Sequence, residues 1–312
     1  MLPSQVVLSV YIITFLIGVP ANILAFCTFY LKVRRKPAPI DILLLNLTVS
    51  DLIFLTFLPF KMKEAIDDMV WNLEYFLCPL SSFFFFCTIY SSTFFLTAVA
   101  LERYLGVAFP IQYKVFRRPR YATGVSVFFW LVAALNLSIV YIVQFLPSSG
   151  NSTIDRSTCY ENFQHEQLKI LLPVRLEIFL VLFCVPFLIC CFCYINFIRI
   201  LSQLPSIGRR RKLRAIGLAL GTLVVFTVCF APYNVSHVVG FVHQKDEGWR
   251  DLALMSSTLN ACLDPIIFYF SSSTVRRALS HCFRSLKEKL HKLKCCNKRV
   301  KKDQRHKTYK MN

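Results

Sequence analysis

Seven long apolar stretches follow one another along this chain and leave little room for a water-soluble domain. They cover residues 7–31, 40–60, 79–108, 123–146, 173–200, 213–242 and 251–271. About 20 apolar residues carry an α-helix across a bilayer. The sequence therefore predicts an all-α membrane protein in which residues 1–271 form one bundle of seven transmembrane helices.

The composition agrees with a single membrane domain. Hydrophobic residues make up 55% of the chain and the mean hydropathy is +0.52, whereas a soluble domain is about 45–50% apolar. Residues 272–312 are predicted to form a cytoplasmic basic tail that begins with a short amphipathic helix. The residues that fit this helix are Arg276, Arg277, Phe283 and Leu286, and the tail's lipidation candidates are Cys282, Cys295 and Cys296.

The net charge of +19 is distributed in a way that argues against a nucleic-acid partner. Basic residues cluster in alternate loops and in the tail, while the intervening loops are mixed or acidic. The clusters are Lys32, Arg34, Arg35 and Lys36, then Lys114, Arg117, Arg118 and Arg120, then Arg209, Arg210, Arg211, Lys212 and Arg214. By the positive-inside rule we expect an extracellular N-terminus and a cytosolic tail, with a basic face that attracts anionic membrane lipids.

The outer loops carry two cysteines and a glycosylation motif. Cys78 and Cys159 both face the outer, oxidising compartment, which favours a disulfide between them, and two free thiols are the alternative. The sequon Asn151-Ser152-Thr153 lies in the same loop as Cys159 and predicts glycosylation of Asn151.

Two arginines stand at the heads of apolar stretches, Arg175 in the fifth and Arg250 in the seventh. An arginine inside a bilayer costs roughly 2.5–3.5 kcal/mol on insertion scales, and such residues usually face the bundle interior or a watery cavity. Guanidinium binds a carboxylate through two parallel hydrogen bonds. The pair therefore predicts a receptor or carrier for a small anion. The alternative is that the arginines extend to outer headgroups or pair with loop acids.

Each stretch also carries a polar or proline feature that apolar packing does not require. In chain order these are Asn22, Asp51, Glu102-Arg103-Tyr104, Trp130, Pro186 with Tyr194, Cys229-Phe230-Ala231-Pro232, and Asp264-Pro265 before Phe268-Tyr269. With the cysteine pair, this set resembles the rhodopsin-like (class A) G-protein-coupled receptors over essentially the whole chain. Residues 102–113, 159–163, 172–177, 232–237 and 268–273 narrow the resemblance to the free fatty acid receptors, and most of all to the short-chain member.

The resemblance implies a plasma-membrane receptor for short-chain carboxylates such as acetate, propionate and butyrate. Heterotrimeric G proteins of the Gi/o and Gq types would be its partners, and it would not be an enzyme. The residues themselves agree, since they offer no nucleophile–base set, zinc-ligand spacing or phosphate-binding glycine loop.

The resemblance also implies the ligand residues. The family holds a fatty-acid carboxylate between two arginines and a histidine, and the matching positions are Arg175, Arg250 and His237. Tyr90 matches a position that reaches the carboxylate. Glu161, two residues after Cys159, is expected to balance the arginines when no ligand is bound. Asn136 stands where the compared receptor has a histidine, which leaves the chain-length preference open.

The same comparison implies a switch and an ion site. Arg103 would be held at rest by Glu102 and released toward the G protein, with Tyr194 supporting the open form. Pro232 predicts a bend in the sixth span. At three switch positions the chain departs from the usual pattern, with Phe230 for tryptophan, Asp264 for asparagine before Pro265, and Phe268 for tyrosine. The cluster that can hold a sodium ion comprises Asp51, Ser92, Asn260 and Asp264, and a hydrogen-bonded water network is its alternative.

Two rival functions remain at this stage. One is a receptor for another small anion, such as a hydroxy acid or a medium- or long-chain fatty acid. The other is a proton-coupled carboxylate transporter. Transporters usually contain internal repeats and broken helices in corresponding halves, and the sequence displays neither, so the transporter is the weaker rival.

Overall fold

The computed structural model describes residues 4–116, 118–143, 159–160, 163, 165–205, 207–271, 276–277, 280 and 284. The first five helices there are α1 Ser4–Arg35, α2 Pro39–Ile66, α3 Leu77–Ala108, α4 Pro110–Phe116 and α5 Pro119–Ile142. They are followed by α6 His165–Ile178, a π-helical segment Phe179–Cys184, α7 Val185–Gln203, α8 Arg209–His243, α9 Arg250–Thr258 and α10 Asn260–Ser271.

Seven apolar spans are present, as the sequence predicted. Six of them are long and apolar enough to cross a membrane: α1, α2, α3, α5, the continuous helix from α6 to α7, and α8. The seventh span consists of α9 and α10, which are separated by a turn at Leu259. The central helix is α3, whose apolar part is buried over most of its length, whereas α5 turns much of its apolar surface outward. Residues on α3 therefore lie within reach of several other spans.

The fifth span starts earlier than its apolar stretch. Helix α6 begins at His165, although the apolar run begins only at 173, because polar residues such as Gln167 and Lys169 continue the helix beyond the membrane. Hydropathy marks the part of a helix that lies in lipid, not the whole helix. Arg175 consequently stands at the head of the apolar stretch, as predicted, and more than two turns inside α6.

Proline and hydroxyl groups shape the middle of the fifth span. Pro186 has no N–H for the carbonyl of Leu182 four residues earlier, and Thr93 Oγ1 on α3 donates to that carbonyl at 3.2 Å. Thr97 Oγ1, one turn further along α3, donates to the carbonyl of Pro186, also at 3.2 Å. A π-helical segment of this kind is often found at functional sites. Here the π-helical segment follows Arg175 by one turn of helix and is held by the hydrogen bond from Thr93 on α3.

Polar contacts also join the other spans. Asn22 Nδ2 on α1 donates to the carbonyl of Ala261 on α10 at 2.7 Å. The hydroxyl of Ser257 on α9 donates to the carbonyl of Cys229 on α8 at 2.9 Å, three residues before Pro232. Such bonds fix the register of helices whose apolar faces alone would permit several.

The predicted disulfide is formed between Cys78, at the start of α3, and Cys159. It holds the backbone of Tyr160 over the end of the bundle at which α3 begins. Arg276, Arg277, Ser280 and Arg284 are helical. The remaining predictions for the tail, which concern Cys282, Phe283, Leu286, Cys295 and Cys296, lie outside the described residues.

Candidate ligand-binding site

The two arginines meet at one carboxylate. Arg175 on α6 and Arg250 at the start of α9 are 3% and 6% exposed. Arg175 Nη1 donates to Asp246 Oδ1 at 3.0 Å, and Arg250 Nη1 lies 3.1 Å from Asp246 Oδ2. The guanidinium groups therefore point into the protein and not to outer headgroups. Their pairing with a loop acid agrees with the second part of the alternative raised from the sequence.

Aromatic rings form one wall of the site. The ring of Tyr160 lies 5.9 Å from the Arg175 guanidinium and 5.6 Å from that of Arg250, and Phe163 lies 5.4 Å from Arg175. The Tyr160 carbonyl accepts a hydrogen bond from Arg250 Nη2 at 3.1 Å. Tyr160 has a φ of 61°, which is uncommon for a residue other than glycine. The adjacent disulfide and the two cation–π contacts hold it there.

The floor of the site is a buried hydrogen-bonded trio. Tyr90 on α3 places its hydroxyl 3.2 Å from Nε2 of His237 and 3.1 Å from Oδ1 of Asn234, both on α8. The His237 ring packs edge-on against Tyr233, and Tyr233 stacks on Phe86. The single Tyr90 hydroxyl proton serves one of the two: when it is donated to Asn234 Oδ1, Nε2–H of His237 donates to the hydroxyl oxygen. In the other tautomer, which carries its proton on Nδ1, His237 Nε2 accepts the Tyr90 proton in place of Asn234 and Nδ1–H is a donor directed away from Tyr90.

Several buried donors in this site have no hydrogen-bond partner within the part of the chain that the structure describes. They are Nε and Nη2 of Arg175 and, in that tautomer, Nδ1 of His237. The Nε–Nη2 edge of a guanidinium is one of the edges that bind a carboxylate through two hydrogen bonds. Because a buried donor without an acceptor is costly, this edge is suited to an anionic ligand.

The other predicted pocket residues have different positions. Glu161 and Asn151 lie outside the described residues. Asn136 is half-buried, and its amide nitrogen donates to the carbonyl of Val132 within α5. The carboxylate seen between the arginines is Asp246, which the sequence reading treated only as a loop charge. Its spacing of four residues before Arg250 did not identify it, because the i,i+4 pairing rule applies within a helix and Asp246 precedes α9.

A second polar cluster lies deeper in the bundle. A cavity between the spans is lined by Asp51, Ser92 and Asn260 together with Phe230, and Asn260 Nδ2 donates to Asp264 Oδ2 at 2.9 Å. Buried oxygens without a hydrogen-bond partner among the described residues are Asp51 Oδ2, Asn260 Oδ1 and Asp264 Oδ1. These acceptors fit a small hard cation. Asp264 does not line the cavity itself, but its carboxylate accepts the hydrogen bond from Asn260, which does.

The end of α3 opposite to the arginine site contains the predicted switch residues. Arg103 Nη1 donates to the hydroxyl of buried Tyr194 at 3.2 Å, which joins α3 to α7. Glu102 accepts a hydrogen bond from Tyr113 on α4. The sequence did not predict α4, a helix of only seven residues, and so gave no reason to expect this contact for Glu102.

Seven spans, an outer disulfide and a buried cationic site together define a seven-transmembrane receptor. Residues 21–268 match the family "7 transmembrane receptor (rhodopsin family)". Free fatty acid receptor 3 of Mus musculus is 51% identical over 267 residues, 85% of this chain and 82% of that protein. Free fatty acid receptor 2 of Mus musculus is 50% identical over 277 residues, 88% and 84% of the two chains. Free fatty acid receptor 1 of Macaca fascicularis is 34% identical over 277 residues, which are 85% of this chain and 91% of that protein.

The chain belongs to the free fatty acid receptor family of class A G-protein-coupled receptors. It is therefore a multi-pass membrane receptor and not an enzyme, and the family implies a small ligand and a heterotrimeric G protein. The chain is about equally similar to receptors 2 and 3 of this family.

Proposed function

We propose that this chain is a plasma-membrane receptor for short-chain fatty acid carboxylates such as acetate, propionate and butyrate. The observation that carries the proposal is the buried Nε–Nη2 edge of Arg175, which has no acceptor among the described residues and lies in the same site as Arg250. A carboxylate bound to that edge gains two charge-assisted hydrogen bonds in a site largely shielded from water.

The surrounding side chains give each residue a role in this proposal. His237 donates to the ligand through Nδ1 and is oriented by Tyr90 through Nε2. Arg250 stabilises the negative charge from the seventh span. The rings of Phe86 and Tyr233 are stacked on each other next to His237, and we propose that they limit the ligand tail to that of a short acid. Asn136 and Glu161 are secondary candidates for the rim of the pocket.

A bound acid would act on the cytoplasmic end through the spans that it joins. Arg175 belongs to the helix that ends with α7, and α7 carries the hydroxyl of Tyr194 to which Arg103 donates. A ligand that favours one position of this helix shifts the receptor between its states. We propose coupling to G proteins of the Gi/o and Gq types, and contact of the basic inner face with anionic lipid.

We place the N-terminus and the arginine site on the extracellular side. The basic loops lie at the opposite ends of the spans, as the positive-inside rule requires for the cytosol. The disulfide at the arginine end of the bundle agrees with an oxidising compartment. We therefore also propose that Asn151, in the same loop as Cys159, is glycosylated. Digestion with an N-glycosidase on intact cells tests it, because an unchanged electrophoretic mobility would argue against glycosylation there.

We also propose that Asp51, Ser92 and Asn260 can hold a sodium ion, with Asp264 positioning Asn260. Unpartnered carboxylate and amide oxygens around one cavity support this assignment. Sodium held there would favour the inactive state by crosslinking spans two, three and seven. Agonist affinity measured in sodium and in N-methylglucamine buffers tests it, and equal affinity in both would contradict it.

Tyr90→Phe is expected to lower propionate potency by about tenfold. The substitution leaves His237 Nε2 and Asn234 Oδ1 buried without their shared partner, which costs about 1–3 kcal/mol. Dose–response curves at matched surface expression measure the change. Tyr30→Phe, at a tyrosine 44% exposed on α1, is the control, and unchanged potency in Tyr90→Phe would contradict the role given to this hydroxyl.

The overall function is tested by a panel of saturated acids from one to twelve carbons, with calcium and cAMP readouts. We expect the strongest responses from acids of two to four carbons. A maximal response only to long acids or to hydroxy acids would replace short-chain acids as the ligand class. Uptake of radiolabelled acetate into vesicles, without a signalling response, would instead identify a transporter.

A further inference from the structure

Asp246 gives the arginine site a fixed negative charge that belongs to the protein. Each of its oxygens faces a different arginine, at 3.0 Å from Arg175 and 3.1 Å from Arg250. Its side chain is 24% exposed, while those of the arginines are 4% and 7% exposed. Among the described residues, Arg175, Arg250 and Asp246 therefore contribute two positive charges and one negative charge to the cluster.

Asp246 contacts only part of the Arg175 guanidinium. Only Nη1 of Arg175 is used by Asp246, and the Nε–Nη2 edge of the same guanidinium is buried without an acceptor among the described residues. A second carboxylate can bind to that edge while Asp246 stays in place. One guanidinium can serve two carboxylates in this way because its five N–H donors lie along separate edges.

The loop that carries Asp246 is anchored on both sides. The Lys245 N–H donates to the Gly240 carbonyl at 3.2 Å, and the Arg250 N–H donates to the Glu247 carbonyl at 3.0 Å. Glu247 Oε1 lies 2.7 Å from Nδ1 of His243 and 3.7 Å from Nζ of Lys245. Gly240 permits the close turn, because a Cβ there would meet the Lys245 carbonyl oxygen at 3.0 Å. Asp246 is thus held against the arginines by its backbone as well as by its ion pairs.

We infer that Asp246 selects the ligand by charge, so that the site takes a monocarboxylate and disfavours a dicarboxylate. This inference rests on the proposed function and adds to it. A buried ion cluster is most stable when its charges balance, and one monoanion balances the remaining positive charge. A dianion leaves an excess negative charge close to Asp246, where like charges repel strongly. Asp246 is therefore a specificity-determining residue.

The test compares butyrate with succinate, which have equal carbon number and differ by one charge. Potencies of both are measured for the wild type, Asp246→Asn and Asp246→Glu in cells with matched surface expression. Asp246→Asn is expected to raise the succinate-to-butyrate potency ratio by about tenfold or more, and Asp246→Glu to keep the wild-type ratio. The matched control is Glu247→Gln, which removes the same charge from the same loop but contacts His243 and Lys245.

Each outcome decides between the accounts. An unchanged ratio in Asp246→Asn, with the wild type responding to butyrate, overturns the charge selector and leaves the proposed function standing. A selective gain in butyrate potency in Asp246→Asn also overturns the charge selector, because Asp246 would then be a competitor that the ligand displaces. An equal rise in the ratio for Glu247→Gln would assign the effect to general loop charge and contradict the specific role of Asp246. A wild-type receptor that responds to neither acid would overturn the proposed function itself.

Discussion

Arg175→Ala or Arg250→Ala is expected to abolish the response to acetate and propionate while the receptor still reaches the cell surface. Each arginine is nearly fully buried and shares Asp246 with the other. Truncating one partner of a buried, hydrogen-bonded charge pair between two binding partners costs about 2–5 kcal/mol of binding free energy, which corresponds to a loss of about thirtyfold or more in potency. Dose–response curves in calcium and cAMP assays, with surface epitope counts, measure the effect.

Matched substitutions separate loss of binding from loss of folding. Arg175→Lys keeps the charge but has no bidentate edge, so it is expected to retain a weakened response. Lys169→Ala removes a cation from the exposed outer turn of the same helix, where Lys169 pairs with Glu166, and should leave potency unchanged. Wild-type potency in Arg175→Ala would contradict the assignment of this arginine to the ligand.

Arg103→Ala is expected to abolish G-protein activation while leaving propionate affinity nearly unchanged. The guanidinium lies near the C-terminal end of α3, where it donates to Tyr194, and Arg175 and Arg250 lie at the opposite end of the bundle. Tyr194→Phe removes only the accepting hydroxyl and should reduce the maximal response by a smaller factor. Nucleotide exchange on purified G proteins measures activation, and displacement of a labelled agonist measures binding.

Arg199→Ala is the control for this second prediction, because Arg199 is an exposed arginine on α7. It should retain nucleotide exchange. Normal exchange in Arg103→Ala would show that coupling does not pass through this guanidinium. A parallel loss of propionate binding would instead indicate that the substitution had disrupted the bundle.

The spans, their number and the disulfide could be predicted from the sequence because they depend on simple physical requirements. A helix crossing lipid must be apolar for about 20 residues, and Cys78 and Cys159 are the cysteines that this arrangement places at the outer ends. The start of α6 could not be predicted in the same way. Its first turns lie beyond the apolar stretch, where hydropathy gives no signal, and helix α4 is too short for a clear period.

The candidate site was predicted in part. Arg175 and Arg250 could be identified because arginine is expensive near a membrane and seldom there without a function. Asp246 could not, because a loop acid is ordinarily solvated. Its position is decided by the turn between α8 and α9, including the left-handed φ of 53° at Gln244. Glu161, which the sequence predicts near the arginines because it follows Cys159 by two residues, lies outside the described residues.

The central claim is that buried guanidinium groups bind the charged head of a small acid. Thermal unfolding of the purified receptor in propionate and in propionamide tests it most directly, because the two compounds match in size and only propionate is charged. We expect propionate to raise the unfolding temperature of the wild type but not of Arg175→Ala, and propionamide to raise neither. Equal stabilisation by propionamide, or undiminished stabilisation of Arg175→Ala by propionate, would contradict the claim.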